Sequence, residues 1–191
     1  MTVLNLAVST GNDDGHAGGA FSRTANPNIA GNIAGTAYDS WFTFRGTTVT
    51  QGATIDSATF LLTRSEATGA TVSWKSRAVA ADDPSPPTTA GEYSAFTWTT
   101  ATVTGTSADP ASYSIDVASV IQEVVDRAGF AGDKVIMQFA DNGSASSSFV
   151  RPAAYESTAQ EAHLDITYTA GGATSPSPFH RSQRFFRRRA G

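Results

Sequence analysis

What most constrains this chain is a period of two. Short stretches alternate apolar and small polar residues and are broken by glycine, proline, asparagine and aspartate. Tyr38, Ser40, Phe42 and Phe44 fall on one side of such a stretch, with Asp39, Trp41, Thr43 and Arg45 on the other. Ala58, Phe60 and Leu62 alternate with Thr59, Leu61 and Thr63. Residues 72–79 behave alike, with Val72, Trp74 and Ser76 on one side, and Phe96 shares a side with Trp98. Val135, Met137 and Phe139 make a further strand, residues 3–8 open the chain as one, and Leu164, Ile166 and Tyr168 make the last. Alternation of this kind makes half-buried strands, which cover themselves by packing sheet on sheet. The predicted fold is therefore all-β, an antiparallel β-sandwich. Residues 11–35 read as irregular, because turn formers such as Asn26-Pro27-Asn28 outnumber periodic apolar positions.

One segment has the other period. Val117, Val120, Ile121, Val124, Val125 and Ala128 follow helical i, i+3, i+4 spacing, with Gln122, Glu123 and Asp126 opposite. The spacing predicts one amphipathic helix over about 117–128, with Asp116 as N-cap and Gly129 just past its end. Its apolar stripe needs cover, so the helix is expected across an end or edge of the sandwich.

Composition closes other routes. Only 16% of the 191 residues are charged, too few for a solvated helical rod, and 40% are hydrophobic, enough for one buried core. No apolar run nears the roughly 20 residues of a membrane span. No basic segment followed by an apolar one opens the chain, so signal-peptide secretion is not expected. The absence of cysteine excludes disulfide scaffolds, thiolate metal sites and cysteine nucleophiles.

The net charge of −4 hides two unlike parts. Residues 1–175 hold all the acids and balance at −9, whereas the last sixteen residues carry five arginines and no acid. The chain divides into a body over 1–170, a Gly/Ser/Pro linker over 171–178, and a basic, aromatic arm over 179–191. In the arm Phe179, Phe185 and Phe186 interleave with Arg181, Arg184, Arg187, Arg188 and Arg189. Phenylalanines fill apolar pockets while arginines pair with carboxylates, so the arm reads as a protein-docking peptide. A nucleic-acid strap is disfavoured, since phosphate contact needs no aromatic burial.

Groupings for catalysis are missing. No Gly-x-Ser-x-Gly elbow and no His-x-x-x-His spacing occurs, and the histidines at 16, 163 and 180 have no evident partners. The pairs Asp13-Asp14 and Asp82-Asp83 lie in turn-forming sequence and are explained by turns. The chain is not expected to be an enzyme. No cofactor is expected, apart from a calcium reading: Asn12, Asp13, Asp14 and Asp165 supply oxygen ligands if the first and last strands pair. The competing reading is an Asx-rich turn beside a solvated strand residue. For sugar binding the candidates are Trp41, on the polar side of its strand, with Tyr93 and Tyr155 in loop-like segments. The alternative for Trp41 is packing beneath a loop or against another subunit.

Three stretches bear a family resemblance. Gln51-Gly52-Ala53-Thr54-Ile55-Asp56-Ser57-Ala58-Thr59-Phe60 resembles a strand opening, Ile115 to Phe130 a single helix, and Ala162-His163-Leu164-Asp165-Ile166-Thr167-Tyr168 the closing strand of jelly-roll domains found in phage virion proteins. Related modules of carbohydrate-binding type occur in bacterial surface proteins. Asn12-Asp13-Asp14-Gly15-His16 is similar to their early Asp-Asp-Gly loop, and His163 departs from their pattern, which often has proline. The resemblance implies a jelly-roll structural protein of a phage particle, of the capsid decoration, head-fibre, tail or neck kind. The implied partners are capsid or tail subunits and further copies of the chain in a homo-oligomer. The implied location is the virion, assembled in the host cytoplasm. The alternative it implies is a module recognising a host-surface glycan. Neither nucleic acid nor membrane is an expected partner.

Overall fold

A computed structural model describes residues 1–171 except 25, 67, 69 and 158–160. Eleven strands form among the described residues: β1 (Thr2–Ala7), β2 (Asp14–Ala17), β3 (Ala30–Ile33), β4 (Thr36–Arg45), β5 (Thr54–Glu66), β6 (Thr71–Ala78), β7 (Val103–Ala108), β8 (Ser112–Asp116), β9 (Lys134–Asp141), β10 (Phe149–Pro152) and β11 (His163–Thr169). All pairings are antiparallel. β1, β11, β5 and β8 make one layer, and β2, β4, β9, β6 and β7 make the other. β3 and β10 join the layers at one side, so the sheet is continuous and the fold is an all-β sandwich.

The predicted alternation places the core. Phe60 and Leu62 of β5 and Leu164 and Ile166 of β11 face Phe42 and Phe44 of β4 and Met137 and Phe139 of β9, all at most 1% exposed. Phe60 meets the rings of Phe42 and Phe44 edge-on, with centroids 5.7 and 5.9 Å away. This edge-to-face geometry joins the two layers at their centre.

The predicted helix forms as α2 (Ala118–Val125), shorter than expected. It buries Val120, Ile121, Val124 and Val125 in the core. Gln122 fastens it to the start of β5, donating to the Ala53 carbonyl at 2.9 Å and accepting from the Ile55 N–H at 2.8 Å. Asp116 sits one residue before the true N-cap, Val117, and its Oδ1 accepts from Ala118 N at 3.0 Å. Gly129 is not among the left-handed glycines. It is small because a Cβ there would collide with the Asp82 carboxylate.

Three expectations need correction. Residues 11–35 contain two strands, β2 and β3, which are too short for periodicity to reveal. Phe96 to Trp98 is no strand: Trp98 makes a single bridge to Val79. Just before it stands an unforeseen helix, α1 (Ala90–Ser94), whose N-cap Thr89 accepts from the Glu92 N–H at 3.1 Å.

Candidate functional site

Two polar constellations lie at opposite sides of β4, and between them they hold Trp41, Tyr93, Asp13, Asp14 and Tyr155. The first lies on the outer face of the sheet. β4 and β9 pair so that Asp39 stands opposite Ala140, Trp41 opposite Gln138 and Thr43 opposite Ile136. The chain after β6 folds over this face and brings Val79, Tyr93, Phe96 and Trp98 onto Trp41 and Ile136 as a second apolar cluster. Two ion pairs, Asp82 with Arg127 at 2.7 Å and Asp83 with Lys134 at 3.0 Å, fix the start of this overlying segment. That accounts for the Asp82-Asp83 pair as a structural clasp.

Beneath the segment runs a closed ring of hydrogen bonds. Tyr93 Oη donates to Asp39 Oδ2 at 3.3 Å, and Gln138 Nε2 donates to Asp39 Oδ2 at 3.1 Å and to Tyr93 Oη at 2.5 Å. Arg77 Nε donates to Gln138 Oε1 at 2.6 Å, and its guanidinium lies 4.7 Å from the Trp98 ring centre. Burial raises the Asp39 carboxyl and the Tyr93 phenol above their ordinary ranges, and it lowers the Arg77 guanidinium. The Asp141 N–H, 3.1 Å from Asp39 Oδ1, and the Lys75 charge pull Asp39 partly back.

The sugar-platform reading of Trp41 and Tyr93 fails here. Trp41 is 0% exposed and Tyr93 8%, because what reads as the polar side of β4 is roofed by residues 79–100. No sugar ring can stack on a face already filled by protein. Tyr155 differs: it is 38% exposed, in a 3-10 turn over Tyr155–Ser157.

The second constellation lies where β2 begins. Both aspartates of the Asp13-Asp14 pair are buried. Asp13 is fully partnered: Arg45 donates from Nε at 2.7 Å and Nη2 at 2.6 Å, and the Ser9 and Thr10 hydroxyls add to Oδ2. Asp14 points to the inner face, opposite Phe42. Its Oδ2 accepts from Asn28 Nδ2 at 2.9 Å and from the Tyr155 N–H at 3.0 Å, and among the described residues no cationic side chain stands beside it. Burial, aided by the charges of Glu156 and Asp13, pushes the Asp14 carboxyl up to about 7.

The first and last strands do pair, with Asn5 opposite Asp165. Asp165 nevertheless joins neither aspartate, since it accepts from Asn5 Nδ2 at 2.9 Å on the sheet itself. The trio Asp13, Asp14 and Asp165 is therefore not a metal site, and among the described residues no three His, Asp or Glu side chains converge to hold an ion. His16 is buried on β2 with its edge to Tyr38, and burial lowers its pKa. His163 lies on β11. A shallow groove of about 400 Å³ is lined by Pro86, Pro87, Ala95 and Phe96, with Glu92 at its edge. The docking residues of the arm, Phe179, Arg181, Arg184, Phe185, Phe186, Arg187, Arg188 and Arg189, lie outside the described residues.

Sequence reasoning misses Asn28, Arg77, Trp98, Gln138 and Glu156. One signal was available: Thr89-Ala90-Gly91-Glu92 has the Ser/Thr-x-x-Glu form of a capped helix start. It marks the segment that roofs β4. In comparisons with known proteins, no family model and no curated protein matches the chain.

Proposed function

We propose that this chain is a non-catalytic structural subunit of a phage particle, a jelly-roll body held to neighbouring subunits by its arm. One observation carries the reading. β11, the last strand among the described residues, lies inside its layer between β1 and β5. Beyond it the sequence runs on through a Gly/Ser/Pro linker to a segment of five arginines and three phenylalanines, opposite in charge to the body. A segment rich in hot-spot residues is suited to another surface. The clamp is non-covalent and involves no turnover, and a sandwich suits it by offering broad faces with few free edges.

Deletion of residues 176–191 tests the anchor. The shortened protein is expected to stay folded and soluble but to stop co-sedimenting with assembled particles. Normal incorporation of the deletion overturns the reading.

The glycan alternative keeps a specific observation in Tyr155, the one exposed aromatic of its three candidates. Binding on a glycan array that is lost in Tyr155→Ala supports it, and silence of the folded protein across the array removes it.

A further inference from the structure

β1 is an edge of its layer: it pairs with β11 on one side and, among the described residues, with no strand on the other. Along an antiparallel strand, alternate residues turn both their N–H and their carbonyl to the same side. The Val8 N–H donates to the Ala162 carbonyl at 3.2 Å, in register with the pairing of β1 and β11. Leu6 and Leu4 therefore face β11, while Val3, Asn5 and Ala7 turn their backbone groups outward. β1 reads Thr-Val-Leu-Asn-Leu-Ala, with no charge, no proline and no bulge to keep another strand away. Of the three exposed large apolar side chains among the described residues, Met1 and Val3 stand here, Val3 at 61%. β7, at the other end of the sheet, exposes Thr104, Thr106 and Ala108, none of them large and apolar.

We propose that β1 pairs antiparallel with β1 of a second copy across a twofold axis, joining one layer of each sandwich into a continuous sheet. The order of residues selects a second copy as the occupant. Val3-Leu4-Asn5-Leu6-Ala7 has the same apolar and polar order in either direction about Asn5. Placing Asn5 opposite Asn5 of the second copy sets Val3 opposite Ala7 and Leu4 opposite Leu6. Apolar then meets apolar and polar meets polar at every position, the self-complementarity that a twofold contact requires. Sliding the register by two residues sets Val3 opposite Asn5 or Ser9 and breaks the match.

This register also uses every outward backbone group. Val3 with Ala7, Asn5 with Asn5 and Ala7 with Val3 become hydrogen-bonded pairs, two bonds each. Leu4 and Leu6 become the closer, non-bonded pairs between them. Both leucines are half-buried and packed against the inner core, so their pairing extends that core past the edge. Asn5 spends one amide hydrogen on Asp165 Oδ1, at 2.9 Å, and keeps the other and its oxygen for the Asn5 opposite. The two Asp165 carboxylates lie three strand spacings apart, about 14 Å, beyond the screening length at physiological salt. Neither the arm nor its docking role enters this assignment.

The test is analytical sedimentation of the full chain over a dilution series, with circular dichroism to confirm the fold of each variant. Wild-type protein is expected to exchange between monomer and dimer. Asn5→Lys and Asn5→Asp, at an exposed position, each set two like charges face to face at the axis. Each is expected to weaken dimerisation at least about tenfold. An equimolar mixture of the two variants is expected to restore it, because opposite charges then meet across the axis. Thr104→Lys, on the edge strand β7, is expected to leave it unchanged. Folded wild-type protein that stays monomeric across the series overturns the interface. So does wild-type association in both Asn5 variants, which would place the contact elsewhere. A mixture that associates no better than either variant alone overturns the twofold register.

Discussion

The two faces of β4 are both buried, by different means. The inner face carries Phe42 and Phe44 into a core of hydrocarbon and ring contacts between the layers. The outer face carries Trp41 under an overlying segment, with Asp39, Gln138, Tyr93 and Arg77 hydrogen-bonded at its edge. Non-directional burial holds the inner face, where many strands meet at once. The outer face is held by fewer apolar contacts, one polar ring and two ion pairs at the segment's start. The inner core should therefore set global stability, and the outer one the local order of residues 79–100.

The largest test of that division is Phe60→Ala. Phe60 meets both Phe42 and Phe44, and its removal leaves a cavity that spans the two layers. A loss of about 4 kcal/mol in urea unfolding is expected, with faster amide exchange throughout the sandwich. A change confined to β5 would break the claim that the inner core acts as one unit.

Next in size is the pH dependence from Asp14, an ionisable group on the inner face. Its folded carboxyl titrates at about 7, against an ordinary 3.8, so the folded state holds a proton that the unfolded state gives up. Stability from this group is complete below 3.8, falls as pH rises toward 7, and is level above that. Wild-type protein should lose a few kcal/mol against Asp14→Asn across that window. Parallel pH profiles would show that Asp14 is not buried uncompensated.

How much of this was legible in the sequence obeys the same division. Phe42, Phe44, Phe60, Leu62 and Leu164 announce the inner core, because a face buried in one direction produces clean alternation. The outer cluster is hidden, because a roof of irregular backbone has no period. Trp41 sits on what looks like a polar side until residues 79–100 are seen above it. Asp13 and Asp14 show the limit at a single peptide unit. The sequence Asn-Asp-Asp-Gly suggests a turn, but strand pleat sends the two carboxylates to different partners. One goes to Arg45, thirty-two positions on, and the other to Asn28 and Tyr155. Such long-range pairing leaves no local trace. The helix α2 is legible because its stripe is local, but what fits at Gly129 is decided by Asp82, distant in sequence.

Trp41→Ala is the third test. It empties the centre of the outer cluster and is expected to cost about 3 kcal/mol, at the low end for a large aromatic, since an overlying segment can settle into the gap. Exchange should accelerate within residues 79–100 before it does in β5 or β11. Uniform acceleration would mean that the two faces are one cooperative core.

The smallest test separates the aromatic roof from the polar ring beneath it. Tyr93→Phe keeps the ring contacts to Phe96 and Trp98, whose centroids are 6.1 and 5.7 Å away. It deletes the hydroxyl that donates to Asp39 and accepts from Gln138. Asp39 still accepts from Gln138 Nε2 and from the Asp141 N–H, so no charge is stranded. The expected loss is therefore about 1 kcal/mol, the net worth of one intramolecular hydrogen bond. Urea unfolding of the variant beside Trp41→Ala measures the ratio of the two effects. A loss as large as that of Trp41→Ala would make the hydrogen-bonded ring, rather than aromatic burial, the element that holds residues 79–100 to the sheet.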